Sequence, residues 1–151
     1  MKKSVWGNAV WLLFHTLAIK LKPEFNSETP ILFSHIVAIC NNLPCPDCQE
    51  HASNLLMRAN HKAVTASREN LIHFLHDFHN VVNKRISTPV FSKEGLHKYV
   101  NANTKNVIAH FMNIMGANMH NDKLMMQTFR RQNYMNKFTN YIKTNSYKYN
   151  N

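Results

Sequence analysis

Apolar side chains recur every three or four residues from Val5 to Val100. This spacing places them on one face of an α-helix, so the pattern predicts four helices and a short fifth one. The short connections between them favour an all-α fold, a four-helix up-and-down bundle crossed by the fifth helix. The predicted helices run from Val5 to about Lys22, from Thr29 to the segment closed by Leu43-Pro44, from about Pro46 to Ala59, from about Ser67 to Ile86, and from Ser92 to near Val100.

Residues at the ends of these helices carry start and stop signals. Pro23 is expected to end the first helix, since proline cannot continue it. Thr29-Pro30 is expected to cap and open the second helix, and Ser92 to cap the fifth. The predicted buried stripes are Val10, Leu13, Phe14, Leu17 and Leu21; Leu32, Ile36, Ile39, Cys40 and Leu43; Ala52, Leu55, Leu56 and Ala59; and Leu71, Leu75, Phe78, Val82 and Ile86.

The last third of the chain differs in composition. Residues 102–151 are rich in Asn, Met and Lys, and we predict that they form a helical extension to a domain of residues 1–101. A short helix is expected to end at Gly116, and residues 146–151 are expected to fray. The apolar positions that predict helix here are Ile108, Phe111, Met112 and Met115, followed by a weaker set of Leu124, Phe129, Tyr134, Phe138 and Tyr141.

Composition limits the function classes. Three glycines in 151 residues argue against glycine-rich phosphate loops and against a turn-rich β fold. The formal net charge is +10, and seven of the eight acidic residues precede Gly95. The C-terminal part is therefore basic, which is typical of a solvated helix face and also allows weak contact with polyanions.

The N-terminal segment resembles a signal peptide only in part. Lys2-Lys3 precede an apolar run to Ile19, but Asn8 and His15 interrupt it and no small-x-small cleavage site follows. The run is also too short to span a bilayer. We therefore expect no membrane span and a cytoplasmic location.

Cys45-Pro46-Asp47-Cys48 is the strongest chemical signal, a Cys-x-x-Cys at a predicted helix start. Unpaired N–H groups and the helix dipole favour thiolate there, so the pair is expected to exchange disulfides. The remaining cysteine, Cys40, excludes a multi-bridge scaffold and is expected to be buried. The motif is either a redox centre or half of a metal site.

Two other interpretations stay open at this point. A zinc site is possible from Cys45, Cys48 and His51 with His73 or His76, although no second Cys/His pair follows at a recognisable interval. A basic nucleic-acid-binding helical protein is the third class. Only the Lys and Arg content supports it, because no binding motif is present.

Two pairs of polar and aromatic residues flank the cysteines in sequence. Trp11 and His15 are four residues apart, as are His79 and Asn83, so each pair shares a helix face. Stacking on Trp and His and hydrogen bonding through Asn would hold a flat aromatic cofactor against the sulfurs. No metal is required in this interpretation.

The chain resembles the flavin-linked sulfhydryl oxidases of the Erv/ALR type at three stretches, in order and spacing. These are residues 7–18 (GNAVWLLFHTLA), 43–48 (LPCPDC) and 79–86 (HNVVNKRI). Its short length and few cysteines are most similar to the compact versions of large DNA viruses. Asn8 stands where family members often carry Arg or Lys.

The resemblance implies an FAD-binding four-helix bundle, usually a homodimer. It implies that Cys45 meets the incoming thiol and Cys48 lies nearer the flavin. Electrons would pass through FAD to O2, giving H2O2. The substrates would be protein thiols, or a thiol-carrier protein would deliver the electrons, in a host cytoplasm or virion. The residues expected at the FAD are Gly7, Asn8, Trp11, His15, His79, Asn80, Val82, Asn83 and Lys84, with Arg85 near the phosphates.

Overall fold

The computed structural model describes residues 2–116 and 125–151, and all regular secondary structure in these two stretches is helical. The all-α prediction is confirmed. Within the described stretches, three short 3-10 helices, Pro23–Glu28, Lys93–Leu96 and Ser146–Lys148, connect or follow the α-helices. The α-helices are α1 Lys3–Lys20, α2 Thr29–Cys40, α3 Pro46–Arg58, α4 His61–Val64, α5 Arg68–Arg85, α6 His97–Val100, α7 Thr104–Met115 and α8 Met125–Asn145.

Two of the predicted helix starts are confirmed. Cys45 is the N-cap of α3, with Pro46 in the first turn. Ser67 is the N-cap of α5, where its hydroxyl accepts a 3.0 Å hydrogen bond from the N–H of Asn70. Both caps satisfy an N–H group that the helix leaves unpaired at its start. They fix where α3, which carries the cysteine pair, and α5 begin.

Three predicted end signals are confirmed only in part. The first helix ends at Lys20, and Pro23 instead opens a 3-10 helix. Helix α2 opens at Thr29 with Pro30 in its first turn, as predicted, but its N-cap is Glu28, and the Thr29 hydroxyl donates to the carbonyl of Asn26. Ser92 makes no capping bond. The 3-10 helix Pro23–Glu28 fills the connection between the first two predicted helices, and the 3-10 helix Lys93–Leu96 takes up the start of the predicted fifth helix.

The predicted core is largely confirmed. Every residue of the stripes in α1 and α2 is buried, as are Ala52, Leu56, Leu71, Leu75 and Phe78. Ile86 is the exception: it follows the end of α5 and is 48% exposed. The remaining predicted stripe residues, Leu55, Ala59 and Val82, are partly buried against the core.

The C-terminal helices belong to the same core. Phe111 of α7 and Phe138 of α8 are fully buried, and their ring centroids lie 5.7 Å apart in an edge-to-face contact. Helix α7 packs along α1, with Gly116 following its last residue as expected. That residues 1–101 form a domain by themselves stays a prediction. Leu124 lies outside the described residues.

The expectation that residues 146–151 fray is wrong. The backbone N–H of Lys22 donates to the carbonyl of Lys148 at 2.9 Å, and the backbone N–H of Asn150 donates to the carbonyl of Lys20 at 2.7 Å. Tyr149 is buried beside Leu21, with which it forms an isolated β-bridge. These bonds give the terminal backbone partners other than water. Within the described parts of the chain, we find no helix of the length and hydropathy that crossing a membrane requires.

Candidate functional site

A cavity of about 630 Å³ opens between α1, α3, α5 and α6, in the size range of small-molecule sites. Its walls are mainly aromatic and aliphatic. Gly7 also borders it, and a Cβ built on Gly7 would meet no heavy atom within 4 Å. The aromatic residues of the wall are Trp6, Trp11, Phe14, Phe78, Phe91 and Tyr99.

The cysteine pair lies at the α3 end of the cavity, with Cys48 in its wall. The two sulfurs are 2.6 Å apart, and the N–H of Cys48 donates to Cys45 Sγ at 3.3 Å. Both thiols are free and half-buried. Helix α3 therefore presents one sulfur to the cavity and keeps the other beside it, within reach of disulfide chemistry.

The expected activation of the pair is not seen at Cys48. Burial raises the pKa of the Cys48 thiol above its ordinary value, and the neighbouring Cys45 raises it further. Lys3 acts in the opposite direction and lowers it. A backbone N–H at the helix start does donate to a sulfur of the pair, as expected, but that sulfur is Cys45 Sγ. The prediction of a favoured thiolate is therefore wrong for Cys48.

Trp11 and His79 form a stacked pair in the cavity wall. Their ring centroids lie 4.1 Å apart with an interplanar angle of 7°. Phe78 meets the Trp11 ring edge-on at 5.1 Å. Helices α1 and α5 thus meet through flat rings, which leaves an aromatic surface against which another planar group can pack.

Behind this pair, His15 is 1% exposed and its Nε2 lies 2.9 Å from Nδ1 of His79. Burial lowers the pKa of His15 to about 3, with further lowering from His79, His76 and Lys98. Burial also lowers the pKa of His79 to about 4. Both rings are therefore neutral at pH 7, and one nitrogen of the pair donates while the other accepts.

Charged and polar side chains occupy the rim of the cavity. The cations Lys3, Arg85 and Lys98 come from three different helices or helix ends, whereas Asp47 is the acid among the residues that line this cavity. Positive charge therefore predominates around an aromatic interior. The polar, uncharged residues of the wall are Ser4, Asn8, Asn83 and Thr88.

The structure brings together most of the site that the sequence predicts. His15 and Cys45 lie one layer behind the cavity, in contact with His79 and Cys48. Neither Lys84 nor Asn80 borders the cavity: Lys84 is exposed, and the Asn80 side chain bonds to Phe91. The predicted residues that line it are Gly7, Asn8, Trp11, Cys48, His79, Val82, Asn83 and Arg85.

Sequence reasoning missed several wall residues. Phe14 and Phe78 were assigned to the core stripes, and they do have that burial, but each also faces the cavity. Phe91 and Tyr99 lie on the chain after α5, where no motif marked them. Lys3 had a weak signal available, since it shares a helix face with Gly7 four residues later.

Two further predictions concern Cys40 and metal binding. Cys40 is 2% exposed, so its expected burial is confirmed, and burial raises its pKa well above the ordinary range. It also borders the cavity from α2. Within residues 2–116 and 125–151, no group of three or more His, Cys, Asp or Glu side chains is placed to hold a metal ion. The zinc interpretation thus gains no support.

The family comparison agrees with this arrangement. The model of the Erv1/Alr family matches residues 8–105, which include both aromatic pairs and the cysteine motif. The chain belongs to the Erv1/Alr family. The match ends near the start of α7, so most of α7 and all of α8 lie beyond the Erv1/Alr region.

Curated relatives carry matching names. An inferred FAD-linked sulfhydryl oxidase, 096R, of Invertebrate iridescent virus 3 is 36% identical over 87 residues, covering 56% of this chain and 58% of the relative. FAD-linked sulfhydryl oxidase ERV1 of Oryza sativa subsp. japonica is 32% identical over 92 residues, covering 60% and 46%. An inferred FAD-linked sulfhydryl oxidase, FPV093, of Fowlpox virus (strain NVSL) is 25% identical over 89 residues, covering 59% and 86%.

The matched region spans about half the length of the first two of these relatives. No solved structure matches the chain significantly. The Erv1/Alr assignment therefore rests on the sequence match. The cavity shows separately where the family's motifs lie in the fold.

Proposed function

We propose that this protein is an FAD-dependent thiol oxidase that forms disulfide bonds in protein substrates. The observation that carries the proposal is the position of Cys48, in the wall of a cavity that Trp11 and His79 line with stacked rings. A redox-active cysteine beside a planar binding surface is the arrangement that thiol-to-flavin chemistry requires. Membership of the Erv1/Alr family and the names of the relatives support the same activity.

The cavity residues fit an FAD molecule. The volume of about 630 Å³ suits a dinucleotide that enters partly, with its ring system on Trp11 and His79. Open space above Gly7 leaves room for a ligand close to the α1 backbone. The cations at the rim would offset the charge of a pyrophosphate. Two of them, Arg85 and Lys98, come from elements other than α1.

The residues have separate roles in this proposal. A substrate thiolate attacks Cys45 of the oxidised pair, a mixed disulfide forms, and Cys48 leaves as thiolate. A second substrate thiolate then attacks the substrate sulfur of the mixed disulfide and releases Cys45. FAD, when bound, supplies the two-electron acceptor that reoxidises the cysteines and delivers the electrons to O2 as H2O2.

Neutral histidines suit this site. Because the pKa values of His15 and His79 are about 3 and 4, the aromatic stack carries no positive charge at neutral pH. The rings are therefore available to orient a planar ligand and to hold one shared proton between their nitrogens. Trp11 fixes the plane of the stack through its contact with His79.

Partners follow from the cysteine content. Outside the motif the sequence contains one cysteine, Cys40, and it is buried, so the chain has no second pair to relay electrons. Protein thiols therefore reach Cys45 directly, or a thiol-carrier protein delivers the electrons. The proposal also includes a homodimer and loose polyanion contact through the basic C-terminal part. It places the protein in a host cytoplasm or a virion, which the viral relatives favour.

The test is the visible spectrum of the protein purified or refolded with excess FAD. We expect bound flavin that bleaches when dithiothreitol is added without oxygen, and H2O2 when oxygen returns. In Cys48→Ser, the flavin should stay bound but should no longer be reduced by thiols. In Cys40→Ala, thiols should reduce the flavin normally. Folded protein that binds no flavin, or a Cys48→Ser variant that turns over normally, would contradict the proposal.

A further inference from the structure

The loop of residues 87–91, which forms part of the cavity wall, is fixed at its start by the end of α5. Ser87 has a left-handed backbone with φ of 57°. Its N–H donates to the backbone carbonyl of Lys84, and the N–H of Thr88 donates to the backbone carbonyl of Asn83 at 2.8 Å. This is the Schellman pattern of a helix C-terminus, which turns the chain sharply away from the helix.

The other end of the loop is held by side chains of α5. The N–H of Phe91 donates to Oδ1 of Asn80 at 3.1 Å, and Nδ2 of Asn80 donates to the carbonyl of Phe91 at 3.0 Å. The side-chain amide thus pairs with the peptide groups of Phe91 as a neighbouring strand would. Phe91 belongs to no helix, so these two bonds give its backbone N–H and carbonyl the partners that regular secondary structure would otherwise provide.

His76 adds a third bond to the same residue. Its Nε2 lies 3.0 Å from the Phe91 carbonyl oxygen and 3.3 Å from Nδ2 of Asn80. We assign the proton to Nε2, because the carbonyl can only accept and is the nearer of the two; in this tautomer Asn80 makes no bond to the ring. The carbonyl has two lone pairs and accepts from His76 and Asn80 together. His76 is 6% exposed, so water does not compete freely for this bond. We call these three bonds the Phe91 clamp.

The clamp sets the position of a ring in the cavity wall. The Phe91 ring centroid lies 4.8 Å from that of His79, 4.7 Å from that of His76 and 5.8 Å from that of His15. Nδ2 of Asn83, which lines the cavity, also donates to Oδ1 of Asn80 at 3.3 Å. Asn80 therefore connects the wall residues while lying outside the wall itself.

We propose that Asn80 and His76 are positioning residues that shape the FAD site through Phe91, without touching the cofactor. The proposal rests on the proposed FAD site, and it differs from what the family resemblance implies for Asn80, a direct contact. The distinction is measurable, because a clamp acts on the loop in flavin-free protein whereas a direct contact acts only when FAD is present.

The experiment measures two quantities in full-length protein: amide hydrogen exchange at Phe91 without flavin, and the Kd for FAD. Asn80→Ala should accelerate exchange at Phe91 at least about tenfold and weaken FAD binding about tenfold. His76→Ala should act in the same direction. His76→Gln, which keeps a donor near the position of Nε2, should restore most of both. Asn8→Ala is the control, with altered FAD binding and unchanged Phe91 exchange.

The outcomes separate the possibilities. Weaker FAD binding by Asn80→Ala with unchanged Phe91 exchange would overturn the clamp in favour of a direct contact. Faster exchange with unchanged FAD binding would overturn the positioning role. If the wild type binds no FAD, the proposed function fails, and the exchange data still decide by themselves whether the clamp holds the loop. Failure of His76→Gln to restore either quantity would remove His76 from the proposal.

Discussion

The cavity region and the α7–α8 region both adjoin α1, the second through α7, and they are packed in opposite ways. On the cavity side, rings such as Trp11 leave about 630 Å³ unfilled and polar groups share the wall. On the α7–α8 side, Phe111 and Phe138 are 0% exposed and pack edge-to-face. This contrast predicts where each kind of substitution acts. Truncation should cost stability in the filled region, whereas enlargement should cost ligand binding in the open one.

The largest expected effect is in the filled region. Phe111→Ala should lower the free energy of unfolding by about 3–5 kcal/mol, because it leaves a cavity in a packed core. Urea denaturation measures it. Phe129→Ala, at a position of α8 that is 57% exposed, is the control and should change the free energy by no more than about 0.5 kcal/mol. A loss of under about 1 kcal/mol for Phe111→Ala would mean that α7 is peripheral to the fold.

The next effect concerns protonation on the cavity side. The pKa of His15 is lowered from 6.5 to about 3, so the unfolded chain takes up a proton at pH values where the folded chain does not. The contribution of His15 to stability should therefore be complete above pH 6.5 and fall as the pH drops toward 3. At pH 5 the loss from His15 is about 2 kcal/mol. His15→Gln should flatten this part of the stability–pH curve; an unchanged curve would show that burial of His15 is not its cause.

A third prediction concerns Gly7, where added atoms meet open space. Gly7→Ala should raise the free energy of unfolding of flavin-free protein by about 0.5–1 kcal/mol, since glycine is unfavourable within a helix. Gly7→Leu should remain folded and weaken FAD binding about tenfold. Val5→Leu, at an exposed position of the same helix that does not border the cavity, is the control. Unaltered FAD binding by Gly7→Leu would exclude ligand from this part of the cavity.

The smallest effect is at the cysteines. Lys3 lowers the pKa of Cys48 against the rise that burial causes, so Lys3→Gln should raise that pKa further. In a flavin-free Cys45→Ser background, alkylation of Cys48 by iodoacetamide at about pH 8 should slow about threefold. In Lys3→Arg, Cys48 should be alkylated at the original rate. Lys2→Gln, at the neighbouring exposed lysine, is the matched control, and equal slowing in both variants would mean that Lys3 has no specific role.

The fold was largely predictable because periodicity reports burial directly. The stripe from Leu32 to Leu43 and the stripe from Leu71 to Phe78 are buried as predicted. The helix ends were less predictable. Thr29 and Pro23 have the right chemistry for a cap and a stop, but the N-cap of α2 is Glu28, one residue earlier, and α1 already ends at Lys20. Capping depends on local backbone geometry that side-chain type alone does not specify.

The site was predictable where a motif fixes the residue and its spacing. Trp11, His79 and Cys48 are such residues, and they border one cavity. Phe91 was not predictable, because its place in the wall depends on long-range bonds from Asn80 and His76. The raised pKa of Cys48 was not predictable either, since it comes from burial and from the neighbouring Cys45.

The order of residues was enough to establish that the chain is helical, which faces are apolar, and which residue types are available for redox chemistry, because these follow from local spacing and side-chain chemistry. Three-dimensional packing was needed to establish that α7, α8 and the terminal segment complete one core, that the two histidines are neutral, and that Asn80 faces Phe91 rather than the cavity. Those properties depend on burial and on contacts between residues far apart in sequence, which no local pattern contains.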